Sequence, residues 1–222
     1  MSRRGWSTSN FLRYASGVVT AVPVTMACWA KTSITGSVQG IMGLHASGST
    51  HARNNFRLRV ESANQVSFSS ANGANSDGAG ASTTITANTW FHVCGVSSSS
   101  TSRAVYFNGG SKGTNATNLT PSGINRTSIG VGDGSTPTFE FAPGGTGDIA
   151  EAAIWNIALS DADVAALAAG ASPLLIHPEA LVGYWPLLGN NSPENNLLSN
   201  TSVLSVQGSL SAAAHPPVFI RG

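Results

Sequence analysis

Apolar and polar residues alternate with a period of two along much of the chain. In the segment 23–31, Val24, Met26 and Cys28 fall on one face of an extended chain, and Trp29 falls on the other. A period of two is typical of a strand with one buried face. The same pattern predicts further strands at 56–61, 90–96, 103–107, 128–131, 148–157, 181–187 and 203–206. Many short strands favour an all-β sandwich or jelly roll.

Turn-forming residues separate these predicted strands. Asn108-Gly109 follows the segment 103–107, and because both residues tolerate positive φ, they predict a tight β-hairpin. Stretches rich in Gly, Ser, Asn and Asp predict loops, the longest of which are 71–82 and 132–147.

One segment departs from the period of two. Ser160 is a preferred N-cap residue, acidic residues follow it in the first turn, and Gly170 is a typical helix stop. These features predict one short helix at about 161–169, which Val164 and Leu167 would anchor on a sheet. A single short helix among many strands excludes an alternating α/β fold.

Three stretches of the chain resemble the laminin-G-like branch of the concanavalin-A-like lectin/glucanase superfamily. They are VPVTMACWAK at 22–31, TWFHVCGV at 89–96 with AVYFNG at 104–109, and SIG at 128–130 with GDIAEAAIWNIALS at 147–160. The resemblance rests on their order and spacing, and it implies an all-β, two-sheet antiparallel jelly-roll sandwich. We predict that Trp29, Trp90 and Trp155 lie in its core.

The C-terminal segment LVGYWPLLG at 181–189 resembles the part that usually opens such a domain. A circular permutation explains this, since the chain ends of compact domains often lie close together. The alternative is a truncated second module, but a segment of about 40 residues cannot bury a second core unaided. We therefore predict a single domain over 1–222, in which residues 180–222 supply the strands that usually open the domain.

Charged residues make up only 9% of the chain, and the formal net charge is +1. Such a chain has no strong field to attract nucleic acid or anionic lipid, so we expect neither as a partner. No apolar run approaches the length of a membrane span. The pair Arg3-Arg4 resembles the start of an export signal, but no apolar region follows it. We therefore expect no export signal.

The two cysteines, Cys28 and Cys94, both fall within predicted strands. Because we expect no export signal, buried free thiols are favoured, and one buried disulfide is the alternative.

Catalysis of glycoside hydrolysis needs two carboxylates that flank the scissile bond. The closest acidic pair on one predicted strand is Asp148 and Glu151, and their odd spacing predicts opposite faces. His92 shares a strand face with Cys94 and is predicted to be a core histidine. We therefore predict that the chain is not an enzyme; activity as a glucanase would depend on Glu151.

Calcium is the candidate cofactor. Proteins of this type often hold Ca²⁺ at the sheet rim, so the resemblance implies Asp133 and Asp148 as candidate metal ligands. Where the family often has Ile-Asp-Glu, however, this chain has Ile149-Ala150-Glu151, so one acid is missing. The alternative is that Asp133 forms a turn and Asp148 is solvated at the rim.

Two functions compete. The low charge and the segment AAGASPLLIHP at 168–178, which resembles laminin-G-like proteins encoded by bacteriophages and prophages, favour a virion structural module: a capsid decoration, head-fibre or tail-associated protein. It would be made in the host cytoplasm, be located in the virion, and bind capsid or tail proteins or copies of itself. The alternative is a carbohydrate-binding lectin module that binds a cell-surface glycan. Its candidate ligand contacts are Asn72, Asn75, Asp77, Phe139 and Phe141.

Overall fold

The computed structural model describes residues 1–47, 54–131, 139–144, 146–199, 201–216 and 218. Over these residues the chain forms two antiparallel β-sheets and a single short α-helix. This arrangement confirms the jelly-roll sandwich that the alternation and the resemblance predict.

The strands, in chain order, are β1 (Ser2–Arg4), β2 (Phe11–Tyr14), β3 (Val24–Thr32), β4 (Gln39–His45), β5 (Asn54–Val60), β6 (Gln65–Asn72), β7 (Ser76–Thr84), β8 (Phe91–Ser99), β9 (Ser102–Phe107), β10 (Gly110–Asn115), β11 (Arg126–Ile129), β12 (Gly147–Trp155), β13 (Leu181–Trp185), β14 (Ser205–Gln207) and β15 (Ser211–Ala213). The helix α1 (Asp161–Ala168) and a 3₁₀ helix (Pro173–Leu175) lie between β12 and β13. Sheet A has the order β10-β9-β8-β3-β12-β1-β15, with β13 also paired to β12. Sheet B has the order β14-β2-β11-β4-β5-β6-β7.

The main core lies between the two sheets. Val24, Met26 and Cys28 of β3 belong to it, as the period of two predicts, and so do Phe56 and Leu58 of β5. Each fully buried large apolar side chain stabilises the fold by about 1.5–3 kcal/mol relative to an exposed one. This core therefore holds the two sheets together.

Helix α1 packs on the outer face of sheet A, the face that points away from sheet B. The Ser160 hydroxyl accepts a hydrogen bond from the Asp163 N–H, and the Asp163 carboxylate accepts one from the Ser160 N–H, so the two form a capping box. Val164 and Leu167 are buried in a second apolar cluster beneath the helix, as predicted. Among the described residues, no helix has both the length and the apolar character needed to cross a membrane.

The segment 71–82, predicted as a loop, is mostly strand. β6 and β7 form a hairpin in which Ser69 lies opposite Gly78. A Cβ at Gly78 would lie 2.9 Å from the Ser69 Cβ, so the close approach of the two strands requires small residues. The composition that suggested a loop is therefore the composition that this hairpin needs. The other predicted loop, 132–147, falls largely outside the described residues.

The three tryptophans predicted to be core residues differ in burial. Trp155 is fully buried, but it lies in the cluster beneath α1. Trp29 and Trp90 are partly exposed, so the prediction is wrong for both. The period of two correctly separates Trp29 from the inner face of β3. It does not show how much of the outer face another element covers.

The C-terminal strands pair with strands from the rest of the chain. Trp185 of β13 lies opposite Ala152 of β12, and Val206 of β14 lies opposite Leu12 of β2. β15 pairs with β1. Residues 181–213 therefore share the sheets and the core of the sandwich. The circular permutation itself stays a prediction.

The two cysteines lie on neighbouring strands but face opposite sides of sheet A. Cys28 belongs to the main core, whereas Cys94 lies opposite Ala27 in the cluster beneath α1. Both are free and buried, and burial raises the pKa of each thiol.

We expect a thiol-specific reagent at about pH 8 to leave both cysteines of the native protein unmodified, because neither forms the reactive thiolate while buried. Without reductant, the denatured protein should release two thiols per chain in the same assay. Rapid modification of the native protein, or the absence of free thiols after denaturation, would contradict this arrangement.

Candidate ligand-binding groove

A groove of about 560 Å³ lies on the outer face of sheet A, between the β9–β10 hairpin and the start of α1. The hairpin turn is Asn108-Gly109, as predicted, with φ values of 51° and 74°. Residues with hydroxyl groups line much of the groove: Ser98, Thr101, Ser102 and Thr114. Its volume falls within the range of about 300–1,000 Å³ that is typical of small-molecule sites.

Three polar side chains meet at the α1 end of the groove. The Tyr106 hydroxyl donates a hydrogen bond to Asp161 Oδ1 at 2.6 Å, and Lys112 Nζ lies 2.8 Å from the same oxygen. Lys112 Nζ also lies 5.1 Å from the centroid of the Tyr106 ring. Lys112 and then Tyr106 hold the pKa of Asp161 below its ordinary value, and Asp161 raises the pKa of Lys112. Burial raises the pKa of Tyr106, so its hydroxyl stays protonated and can donate.

A second polar group lies on the other face of the β9–β10 hairpin, toward sheet B, because Arg103 and Asn115 pair in register next to Ala104 and Thr114 of the outer face. Arg103 donates hydrogen bonds to Asn115 Oδ1 and, at 2.9 Å, to the Ser100 carbonyl. Asp77, from the β6–β7 hairpin of sheet B, accepts a hydrogen bond from the Thr117 hydroxyl at 2.6 Å. This bond, together with others from Asn115 and the backbone, lowers the pKa of Asp77, and the nearby positive charge of Arg103 adds to the effect. Asp77, a predicted ligand contact, therefore lies beneath the hairpin and is not among the residues that line the groove.

The other predicted ligand contacts lie elsewhere. Asn72 and Asn75 close the β6–β7 turn, where Asn72 Oδ1 accepts a hydrogen bond from the Asn75 N–H at 3.0 Å. Phe139 is 43% exposed. Phe141 is fully buried in the main core, which corrects its selection as a contact, because its ring is unavailable to a surface ligand.

Tyr106, Lys112 and Asp161 were not selected from the sequence. The sequence places Tyr106 just before the predicted Asn108-Gly109 turn and Asp161 just after the predicted N-cap. Local patterns therefore predict the turn and the helix start beside these residues. They do not predict that this hairpin and this helix end lie side by side.

Asp148 does not fit a calcium site. Its carboxylate is fully buried and accepts from Arg4 Nε at 2.7 Å and Nη2 at 2.9 Å, while Lys31 Nζ lies 2.7 Å from it. These cations occupy the oxygens that calcium would need, and Asp148 is not the solvated rim residue of the alternative interpretation either. Asp133 lies outside the described residues. Over the part of the chain that the structure describes, no group of three or more His, Cys, Asp and Glu side chains is placed to hold a metal.

Glu151 and Asp148 lie on the same face of β12, so the prediction of opposite faces is wrong. A β-bulge between Ala150 and Ala153 inserts one residue, and Glu151 adopts a φ of 55° there. Both carboxylates consequently point away from sheet B. Glu151 accepts a hydrogen bond from the Tyr184 hydroxyl and lies 3.0 Å from His215 Nε2. Each carboxylate is thus engaged by its own partners, and the two are not paired with each other.

His92 is buried, as predicted for a core histidine. Burial lowers its pKa to about 3, so the ring is neutral at physiological pH. A core histidine is expected to have hydrogen-bond partners for its ring nitrogens. Among the described residues, however, His92 Nδ1 has none.

Comparison with known proteins supports the fold. A laminin-G family model, described as the concanavalin A-like lectin/glucanases superfamily, matches residues 7–165. No protein with a curated description matches the chain in sequence. A heptameric SAP-like pentraxin from Limulus polyphemus has a similar structure, with a TM-score of 0.65 and 16% identity, covering 94% of this chain and 93% of that one.

Two further structures are described by their relation to carbohydrate. A candidate carbohydrate binding protein from Bacteroides ovatus has a TM-score of 0.64 and 15% identity; the match covers 99% of this chain but 62% of that one. A carbohydrate-binding module of a Ruminococcus gnavus sialidase, bound to α2,3-sialyllactose, has a TM-score of 0.54 and 14% identity, covering 68% of this chain and 84% of that one. Identities this low show a shared fold only. None of these matches supports the hypothesis of a virion module with capsid or tail partners.

Proposed function

We propose that this chain, which belongs to the concanavalin A-like lectin/glucanase superfamily, binds carbohydrate without cleaving it. The proposal adopts the lectin interpretation of the sequence in place of the virion interpretation. The observation that carries it is the groove beside Tyr106, which is open to solvent and rich in groups that match sugar hydroxyls.

Sugar hydroxyls both donate and accept hydrogen bonds, so a sugar site needs fixed groups of both kinds. Lys112 and Asp161 provide a donor and an acceptor that already hold each other in place. Thr114 is exposed on the outer face of β10, and its hydroxyl both donates and accepts. Because these side chains are positioned before a ligand arrives, little conformational entropy is lost on binding.

The state of the buried carboxylates favours binding over hydrolysis. A glycosidase of either stereochemistry uses two carboxyl groups on opposite sides of one scissile bond. Asp148 is neutralised by two cations, and Glu151 is held by Tyr184 and His215. Neither carboxylate belongs to the groove.

The experiment is a screen of the full chain on an array of neutral and charged oligosaccharides, followed by calorimetric titration with a glycan that binds. We expect Lys112→Ala and Thr114→Ala each to weaken the binding of that glycan about tenfold, since each removes a hydrogen bond to the ligand. Asn195→Ala is the matched control, because Asn195 is exposed and lies outside the groove.

Melting temperatures of all three variants should be measured alongside, because Lys112 also forms an ion pair with Asp161. Failure to bind any glycan on the array would refute the proposed function. Binding that persists unchanged in both groove variants would refute the groove as its site.

A further inference from the structure

A row of charged and aromatic side chains crosses the outer face of sheet A and shares no residue with the groove. The strand register places Arg4 of β1 opposite Asp148 of β12, and Asp148 opposite Lys31 of β3. Trp29 lies two residues before Lys31 on β3, and Trp90 immediately precedes β8. We call Arg4, Lys31, Trp29 and Trp90 the cationic platform.

Asp148 holds the two cations of the platform in place. Its carboxylate is fully buried, whereas the side chains of Arg4 and Lys31 are 44% and 19% exposed. The hydrogen bond to Asp148 raises the pKa of Arg4. Two cations share one anion, so the group keeps one net positive charge, and that charge lies on its exposed side. An arriving anion would therefore meet two cations whose positions are already fixed.

The aromatic side chains adjoin these cations. Lys31 Nζ lies 5.1 Å from the centroid of the Trp90 ring, and Trp29 makes an edge contact with the His92 ring at 5.5 Å. Both tryptophans are partly exposed, although large aromatic side chains gain most from full burial. The platform thus combines a flat apolar surface with fixed positive charge.

We propose that the cationic platform binds a carboxylated sugar residue. The planar guanidinium of Arg4 and the ammonium of Lys31 would receive the carboxylate, since an arginine fork matches its geometry. The ring of Trp29 or Trp90 would receive the apolar face of the sugar. A metal cation is disfavoured at the same place because Arg4 and Lys31 would repel it. This inference extends the proposed carbohydrate-binding function to a second, charge-selective site.

The test compares two sugars that differ only at one carbon, methyl β-D-glucuronide and methyl β-D-glucoside. Titrations of the full chain, followed by tryptophan fluorescence and by nuclear magnetic resonance of the indole N–H groups, should show at least about tenfold tighter binding of the glucuronide. Raising the salt from about 50 to about 500 mM should reduce this preference, because salt screens partly exposed charges.

Arg4→Gln should weaken glucuronide binding about tenfold and leave glucoside binding unchanged, while Trp90→Ala should weaken both sugars. Lys31→Gln repeats the charge test if Arg4→Gln fails to fold. Arg59→Gln is the matched control, because Arg59 also pairs with a carboxylate, that of Glu61, but lies on sheet B.

Equal affinity for the two sugars would overturn the inference, and so would a glucuronide preference that survives Arg4→Gln and Lys31→Gln. If the array shows glycan binding that depends on Lys112 and the platform binds no glucuronide, the inference fails and the proposed function stands. If no carbohydrate of any kind binds, both fail.

Discussion

Replacing Trp185 with alanine should lower the free energy of unfolding by about 3–5 kcal/mol. Trp185 is fully buried in the main core, and its indole Nε1 donates a hydrogen bond to the Ser202 carbonyl at 3.0 Å. Alanine would leave a cavity and an acceptor without its donor, and the two costs add. Urea denaturation followed by circular dichroism measures the change, provided that the slope of the unfolding free energy against urea concentration is the same in both proteins.

Leu188→Ala is the control for this prediction. Leu188 lies three residues beyond Trp185 and is 48% exposed, so its loss should change stability by less than about 0.5 kcal/mol. Similar small effects at both positions would mean that β13 adds little to the core. The single domain predicted over 1–222 would then lose its support from residues 181–213.

Much of the fold follows from local sequence patterns. The alternation of Val24, Met26 and Cys28 assigns them to one face of β3, and that face is buried between the sheets. Ser160 and Gly170 bracket a helix because capping depends on residues next to one another in the chain. Both predictions depend on the geometry of a single strand or helix, so they can be made from the sequence alone.

Features that depend on a second element could not be predicted in the same way. Trp29 lies on the outer face of sheet A, and how much of that face α1 covers is a tertiary property. Glu151 shares a face with Asp148 only because of the bulge in β12, and one inserted residue reverses a period of two. The glycine and serine content of β7 suggested a loop, although close strand packing is the physical reason for it.

The candidate site illustrates the same limit. Asp77 is predicted as a contact because it lies in a polar segment, but the β6–β7 hairpin places it beneath the β9–β10 hairpin, where it accepts a hydrogen bond from Thr117 and does not line the groove. Phe141 is predicted as a contact because of its aromatic ring, but its side chain is fully buried and cannot contact a surface ligand. Asp148 was selected as a carboxylate, but Arg4 and Lys31 reverse the charge that it presents. Residue type alone therefore identified candidate groups but not their partners.

Replacing Gly113 with alanine should destabilise the protein by about 3 kcal/mol, at the upper end of the usual cost of overpacking. Sheets A and B meet along β10 and β7, where the hydroxyls of Thr83 and Ser111 lie 2.6 Å apart. A Cβ at Gly113 would overlap the carbonyl oxygen of Gly80 on β7. Backbone cannot rotate away as a side chain can, so the two sheets would have to separate locally.

Gly110→Ala is the matched control for this last prediction, because Gly110 lies on the same strand and a Cβ there would meet nothing within 4 Å. We expect Gly110→Ala to leave the melting temperature nearly unchanged and Gly113→Ala to lower it by several degrees. Since Thr114 follows Gly113 directly and lines the groove, the Gly113 variant should also weaken glycan binding more than its loss of stability alone explains. Equal melting temperatures for the two variants would show that β7 and β10 do not pack this closely, and the groove would then lose the support of sheet B beneath it.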